Sequence, residues 1–171
     1  MSDYLKDLLA DAVRGLDRVK ALASRIGLRY AELQPCPFGL GIAAAWSETR
    51  FVLMSTAAGG GSDQVYLTCG VLRDIHPDRL AALDACNSLT RDNPAYPMFL
   101  HDAEAGWGIL MQTSLNIPLI ERVPDLFEVT CRGLPELAEQ RRTALLGKNL
   151  GGSPFRWSGD DLQQLLIRSV V

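Results

Sequence analysis

The sequence predicts an α+β domain in which an antiparallel sheet packs against helices, in the order α-β-β-β(-β)-α-β-β-α with a further helix at the C-terminal end. Three observations carry this. Apolar residues recur at steps of three and four over residues 5–26, they alternate with a period of two at 64–71 and again at 107–112, and glycine- and proline-rich breaks separate these stretches. A repeat near 3.6 residues places apolar groups along one side of a helix, whereas a repeat of two dries one face of a strand.

In the first helix Leu5, Leu8, Leu9, Ala12, Val13, Leu16, Val19, Leu22, Ala23 and Ile26 form the stripe, and Asp3, Lys6, Asp7, Asp11, Arg14, Asp17, Arg18 and Lys20 populate the other side. Ser2 is placed as a cap, and Gly27 as a stop, because glycine enters the left-handed region without a Cβ clash. Three strands follow, at Leu28–Leu33, Leu40–Trp46 and Phe51–Ser55. Pro35, Pro37 and Gly39 break the first gap, and Ser47-Glu48-Thr49 turns the second and third strands into a hairpin. After the flexible stretch Ala57–Ser62, residues 64–71 resume the sheet: Val65, Leu67, Cys69 and Val71 alternate with Gln64, Tyr66, Thr68 and Gly70.

The second helix has Pro77 in its first turn, where the missing N–H has no partner to lose, and a stripe of Leu80, Ala82, Leu83, Cys86 and Leu89. Asn93-Pro94 ends it, since proline disfavours helix in the preceding residue. Met98, Phe99 and Leu100 then make a short strand, 102–106 a turn, and Trp107, Ile109 and Met111 one face of its partner, with Gly108, Leu110 and Gln112 on the other. From Leu119 the pattern is helical to about Leu146, as one bent helix or two in series, because Pro124 is either a kink or a first-turn residue and Gly133 and Pro135 pose the same choice. Residues 1–146 read as one domain, and 147–171 as an appendage: a linker loosest at Gly151-Gly152-Ser153-Pro154, then a short helix. Ser158 and Asp161 make a capping box for that helix, and Leu162, Leu165, Leu166 and Val170 give it an apolar edge.

At 171 residues the chain is long enough to bury its own core. Cys36, Cys69, Cys86 and Cys131 are widely spaced with no CxxC pair, which argues against a zinc ribbon or a thioredoxin-type site and for reduced thiols. The charged N-terminal stretch contains no signal-peptide-like apolar run and no window reaches the roughly 18 residues of a membrane span, so the expected location is the cytoplasm. A net charge of −3, with basic residues scattered apart from Arg141-Arg142, opposes nucleic-acid binding, which needs clustered cations.

The candidates for chemistry are thin. Gly59-Gly60-Gly61-Ser62 lacks the Gly-Lys-Ser/Thr ending of a phosphate loop and precedes a strand, so it reads as a hinge. His76 and His101 sit at a helix start and a strand end, without the shared face that a metal site needs, although Asp74, Asp78, Asp102 and Glu104 are near in sequence. Cys69 and Cys86 fall on apolar faces, Cys36 lies between two prolines, and no cysteine has a base at a readable spacing. No cofactor, metal or catalytic group is therefore expected. Trp46 and Trp107 read as core closures near strand ends, whereas Phe155 and Trp157 read as docking knobs for this chain or another.

The stretch from about Tyr66 to Arg142 resembles the type III secretion chaperone-like superfamily, comprising Tir-type class I secretion chaperones and YbjN-like proteins. The likeness rests on element order, on the run from Val65 to Val71, on Asn87 in the second helix, and on His101-Asp102 through Gly106–Leu110. The tail from Gly147 departs from it. The resemblance implies a small acidic protein, often dimeric through its second helix, that holds an extended peptide on apolar surface without a nucleotide. Such binding would bury client anchors on the first helix and the 40–55 hairpin and pair client backbone with an open strand edge, making Leu28, Tyr30, Leu40, Ile42, Phe51 and Leu53 the candidate contacts. Alternation does not fix which face is covered, so that set can be displaced by one residue. The rival expectations are an oligomerisation module whose own tail helix fills the groove, and a small-molecule enzyme or sensor.

Overall fold

The computed structural model describes residues 3–33, 39–46, 49–56, 63–75, 79–103, 106–148 and 150–155. Helix α1 is Asp3–Arg25. Its stop is the one the sequence sets: Gly27 has φ +69°, and the N–H groups of Gly27 and Leu28 donate to the carbonyls of Ser24 and Ala23 at 3.1 and 2.9 Å. Strands β1 (Arg29–Glu32), β2 (Gly39–Trp46), β3 (Thr49–Thr56) and β4 (Gln64–Ile75) follow, then α2 (Arg79–Asp92), β5 (Met98–Ala103) and β6 (Gly106–Asn116). The α+β class and its antiparallel sheet are those the periodicities predict.

Several local expectations are revised. β4 continues past Val71 to Ile75, through register shifts against β6 between Gly70 and Leu72 and between Leu72 and Ile75. Such irregularities turn successive side chains to the same side, so Val71 and Leu72 are both buried and strict alternation disappears. Asp74, at φ +56°, occupies the left-handed region that aspartate tolerates better than most residues. Of the two arrangements open to the long C-terminal helical stretch, the structure has two helices in series, α3 (Ile117–Arg122) and α4 (Pro124–Leu146). Asn116 caps α3 by accepting the Leu119 N–H at 3.1 Å, Val123 breaks the run at φ −127° and ψ 72°, and Pro124 starts the next helix while Pro135 is carried inside it. The expected start of α2 at Pro77 falls outside the described residues, as do Cys36, His76 and the helix expected from Ser158.

Gly151–Pro154, expected to be the loosest part of a linker, instead leads into and forms a seventh strand, β7 (Ser153–Pro154). The sheet order is β1-β2-β3-β4-β6-β5, antiparallel throughout, and β7 pairs with β4. β3 pairs with β4 residues 66–69 and β7 with 72–73, while β6 lines the opposite edge along 64–75, so β7 takes the stretch of β4 that β3 leaves uncovered.

The register sorts side chains onto two faces. Leu40, Ile42, Ala44, Phe51, Leu53, Val65, Leu67, Cys69 and Met111 share the first, where they form one core with Ala12, Leu16, Val19, Leu22 and Ala23 of α1, Cys86 and Leu89 of α2, Ile120 of α3 and Phe127, Leu134 and Ala138 of α4. Val52, Thr68, Gly70, Leu110 and Gln112 share the second face. Arg18 locks the helical layer: its guanidinium donates to both carboxylate oxygens of Glu121 at 2.7 and 2.8 Å and to Asp63 at 2.8 Å, tying α1 to α3 and to the entry of β4. No described helix is long and apolar enough to cross a membrane.

Candidate functional site

Five of the six candidate peptide contacts, Leu28, Leu40, Ile42, Phe51 and Leu53, lie in the core, with Ile42, Phe51 and Leu53 fully buried. The reason is α1. Its apolar stripe must be covered, and the apolar face of the β2–β3 hairpin is what covers it, so each set removes the other from solvent. Tyr30, at 37% exposure, is the exception, and it stands on an edge strand whose four residues are all exposed.

That edge has a definite polarity. The Leu33 N–H donates to the Gly41 carbonyl at 3.0 Å, in line with the Arg29–Ala45 and Ala31–Ala43 pairs. In an antiparallel ladder alternate residues of one strand bond to the same neighbour. The backbone groups of Arg29 and Ala31 therefore face β2, and those of Tyr30 and Glu32 face outward. Among the described residues β1 pairs only with β2. Lys20 of α1 holds the Glu32 carboxylate at 2.7 Å and so steadies the strand from the core side.

The second feature is the seat of β7. Phe155 follows the strand and lies over Gly70 and Gly108: a Cβ built on Gly70 would stand 2.3 Å from the ring and 2.7 Å from Phe155 Cβ, and one on Gly108 3.1 Å from the ring. The Val71 carbonyl accepts from the Phe155 N–H at 3.4 Å and from Arg142 Nε at 2.9 Å, so the irregular stretch of β4 is what α4 and the C-terminal strand both bind. Ser153 Oγ donates to Asp74 Oδ2 at 3.1 Å, and the Arg73 guanidinium stands 5.8 Å from the centroid of the Phe155 ring. Gly152, at φ +91°, runs so close to β4 that a side chain would meet the Arg73 carbonyl at 2.8 Å. The signal for this seat was present in the sequence as Gly70 and Gly108, since glycine inside a strand marks close approach by another group.

Among the described residues the thiols and the histidine are enclosed. Burial pushes the thiols of Cys69 and Cys131 up to about 12 and that of Cys86 up to about 11, so each is a neutral core group at ordinary pH. His101 is buried on β5, paired across the ladder with Gly108. An open groove of about 460 Å³ runs between Trp46 and Arg132, Glu136, Glu139 and Gln140 of α4, with the Arg132 guanidinium 4.4 Å from the Trp46 ring centroid. Among the described residues no group of three or more histidine, cysteine or acidic side chains stands together as a metal site. No protein-family model matches the chain, and no curated protein is significantly similar to it.

Proposed function

We propose that this chain is a non-catalytic binding protein, in the manner of the secretion-chaperone-like proteins, that holds an extended polypeptide by adding it as a strand to its sheet. The outer edge of β1 is the point of addition. The observation that carries the reading is β7: the sheet already takes an extended piece of chain, with two residues in the ladder and an aromatic anchor seated beyond them. At β1 the outward backbone groups of Tyr30 and Glu32 offer the same chemistry to a second chain, and the Tyr30 ring lies beside them as an apolar contact. The contacts are thus displaced from the buried hairpin to the strand at its margin.

The protein acts as a cytoplasmic homodimer through α2. Leu80 of that helix, 69% exposed, supports the dimer, and the free buried thiols of Cys69, Cys86 and Cys131 suit a reducing compartment. Light scattering at the mass of a single chain would count against the dimer, and disulfide-linked chain recovered from cells against the compartment.

The test is panning of a random peptide library on the immobilised chain, followed by affinities for Tyr30→Pro and Tyr30→Ala. Enrichment of segments with alternating apolar residues is expected, with Kd values in the micromolar range. Tyr30→Pro removes an outward N–H without touching the β2 ladder, because proline is tolerated on a strand edge when its missing N–H faces solvent. It should abolish capture at unchanged melting temperature, while Tyr30→Ala weakens capture about tenfold, the loss of one aromatic contact. No enrichment, or capture indifferent to Tyr30→Pro, refutes the reading.

A further inference from the structure

The second face of the sheet has a buried centre that the described helices do not explain. Val52 on β3, Thr68 on β4 and Leu110 on β6 are fully buried, yet the buried apolar residues of α1, α2, α3 and α4 all belong to the core on the opposite face. Phe155 reaches this side from outside the sheet, over Gly70 and Gly108. From Val52 to Leu110 the face spans three strands, about 10 Å at ordinary strand spacing. That is wider than one phenyl ring covers.

The sequence continues for sixteen residues, 156–171, beyond the point where Phe155 is fixed on this face. They include Trp157, and Leu162, Leu165, Leu166 and Val170 at the steps that align on one side of a helix. Residues 158–170 in helical form would measure about 20 Å, enough to cross the interior strands. A single helix so short is marginal in water and needs a surface to lie on. Tethered directly to an anchored Phe155, the segment meets this face at an effective concentration in the millimolar range or above, which a separate copy at ordinary protein concentrations does not reach.

We propose that residues 156–171 dock in cis on the second face of the sheet, with Leu162, Leu165, Leu166 and Val170 against Val52, Thr68 and Leu110, and with Phe155 as the fixed point from which they are laid down. The face is a built-in docking surface for an amphipathic segment, and its occupant is residues 156–171 of the same chain. The inference is independent of peptide capture at β1, because its test involves no client.

The experiment places a reporter thiol in the face by Val52→Cys, in the full chain and in a chain ending at Phe155, and follows maleimide labelling at position 52 by peptide mass mapping. Cys69 and Cys131 serve as internal controls for folding, since both are buried in the opposite core. With those two protected, position 52 should label about tenfold faster or more in the shortened chain, as expected when a covering element is removed. A synthetic peptide of residues 156–171 added in excess should slow it again. If the shortened chain labels Cys69 and Cys131 as well, Leu162→Asp with Leu166→Asp in the full chain replaces the truncation, and the same acceleration is expected. Equal labelling with and without the segment overturns the proposal. So does protection of the full chain that vanishes on dilution, which would assign the cover to a second copy.

Discussion

The glycine floor beneath Phe155 makes a sharp prediction. Gly70 has no positive φ, so alanine there fits the backbone and adds only a methyl group. That methyl would lie 2.3 Å from two ring carbons of Phe155 and 2.7 Å from its Cβ. The contact with Cβ means that no rotamer of Phe155 relieves the overlap; the backbone of the C-terminal strand must move, at the expense of the Phe155 to Val71 hydrogen bond and the β7 ladder. Overpacking of this kind costs about 1–3 kcal/mol. In a Phe155→Ala background the overlap is absent, and exchanging glycine for alanine in a strand is then neutral or favourable by about 0.5 kcal/mol. The two substitutions should therefore couple by about 2 kcal/mol. With a urea m value of about 2 kcal/mol per molar, Gly70→Ala alone should lower the unfolding midpoint by about 1 M, and in the double variant it should cost nothing beyond Phe155→Ala. Equilibrium unfolding of the four chains measures this. If Gly70→Ala costs the same in both backgrounds, within about 0.5 kcal/mol, Phe155 does not sit on the glycine floor and the account of β7 fails.

Two further outcomes follow from the charges and thiols. The Glu121 carboxyl is held below its ordinary range by the hydrogen bonds from Arg18, so the pair stabilises the fold while Glu121 is ionised, and that stabilisation fades as pH falls below the ordinary glutamate value of about 4.3. Glu121→Gln should cost about 0.5–1 kcal/mol at pH 7, the scale of a partly exposed bidentate pair, and the gap between the two chains should close toward pH 3; a gap that widens on acidification contradicts the pairing. For the buried thiols, iodoacetamide at pH 8 should leave Cys69, Cys86 and Cys131 unmodified in the native chain and modify all three in urea, and native alkylation of Cys69 at a free-thiol rate would show that its environment is open.

Most of the elements were legible because each has a local cause. Gly27 stops α1, Asn93-Pro94 releases the chain from α2, and the alternation at 64–71 and 107–112 writes two interior strands. What was not legible depends on contacts between distant residues. The extension of β4 to Ile75 needs irregular pairing with β6 and a left-handed Asp74, neither of which leaves a periodic trace. The split between α3 and α4 at Val123 is one of two behaviours open to a proline, and packing decides between them. β7 spans two residues, too few for any period to register. That five of the six candidate contacts lie in the core has a related reason. Alternation correctly grouped Leu40, Ile42, Phe51 and Leu53, but the pattern of a face that binds a client is the same as that of a face that α1 has already claimed.

The pairing of β4 with β6 also sets an order of events for a chain emerging from the ribosome. α1, β1, β2 and β3 involve only residues up to Thr56 and make contacts among themselves, so that portion can gather early. β4 cannot be satisfied then, because the partner of Gln64 is Asn116 and the partner of Leu72 on its other side is Pro154. At about 5–20 residues per second, the interval from residue 75 to residue 154 leaves the flank of β4 at Leu72 and Arg73 bare for roughly 4–16 s. A sticky nascent strand is the hazard this topology carries, and its closure waits until Ser153 and Pro154 have been made.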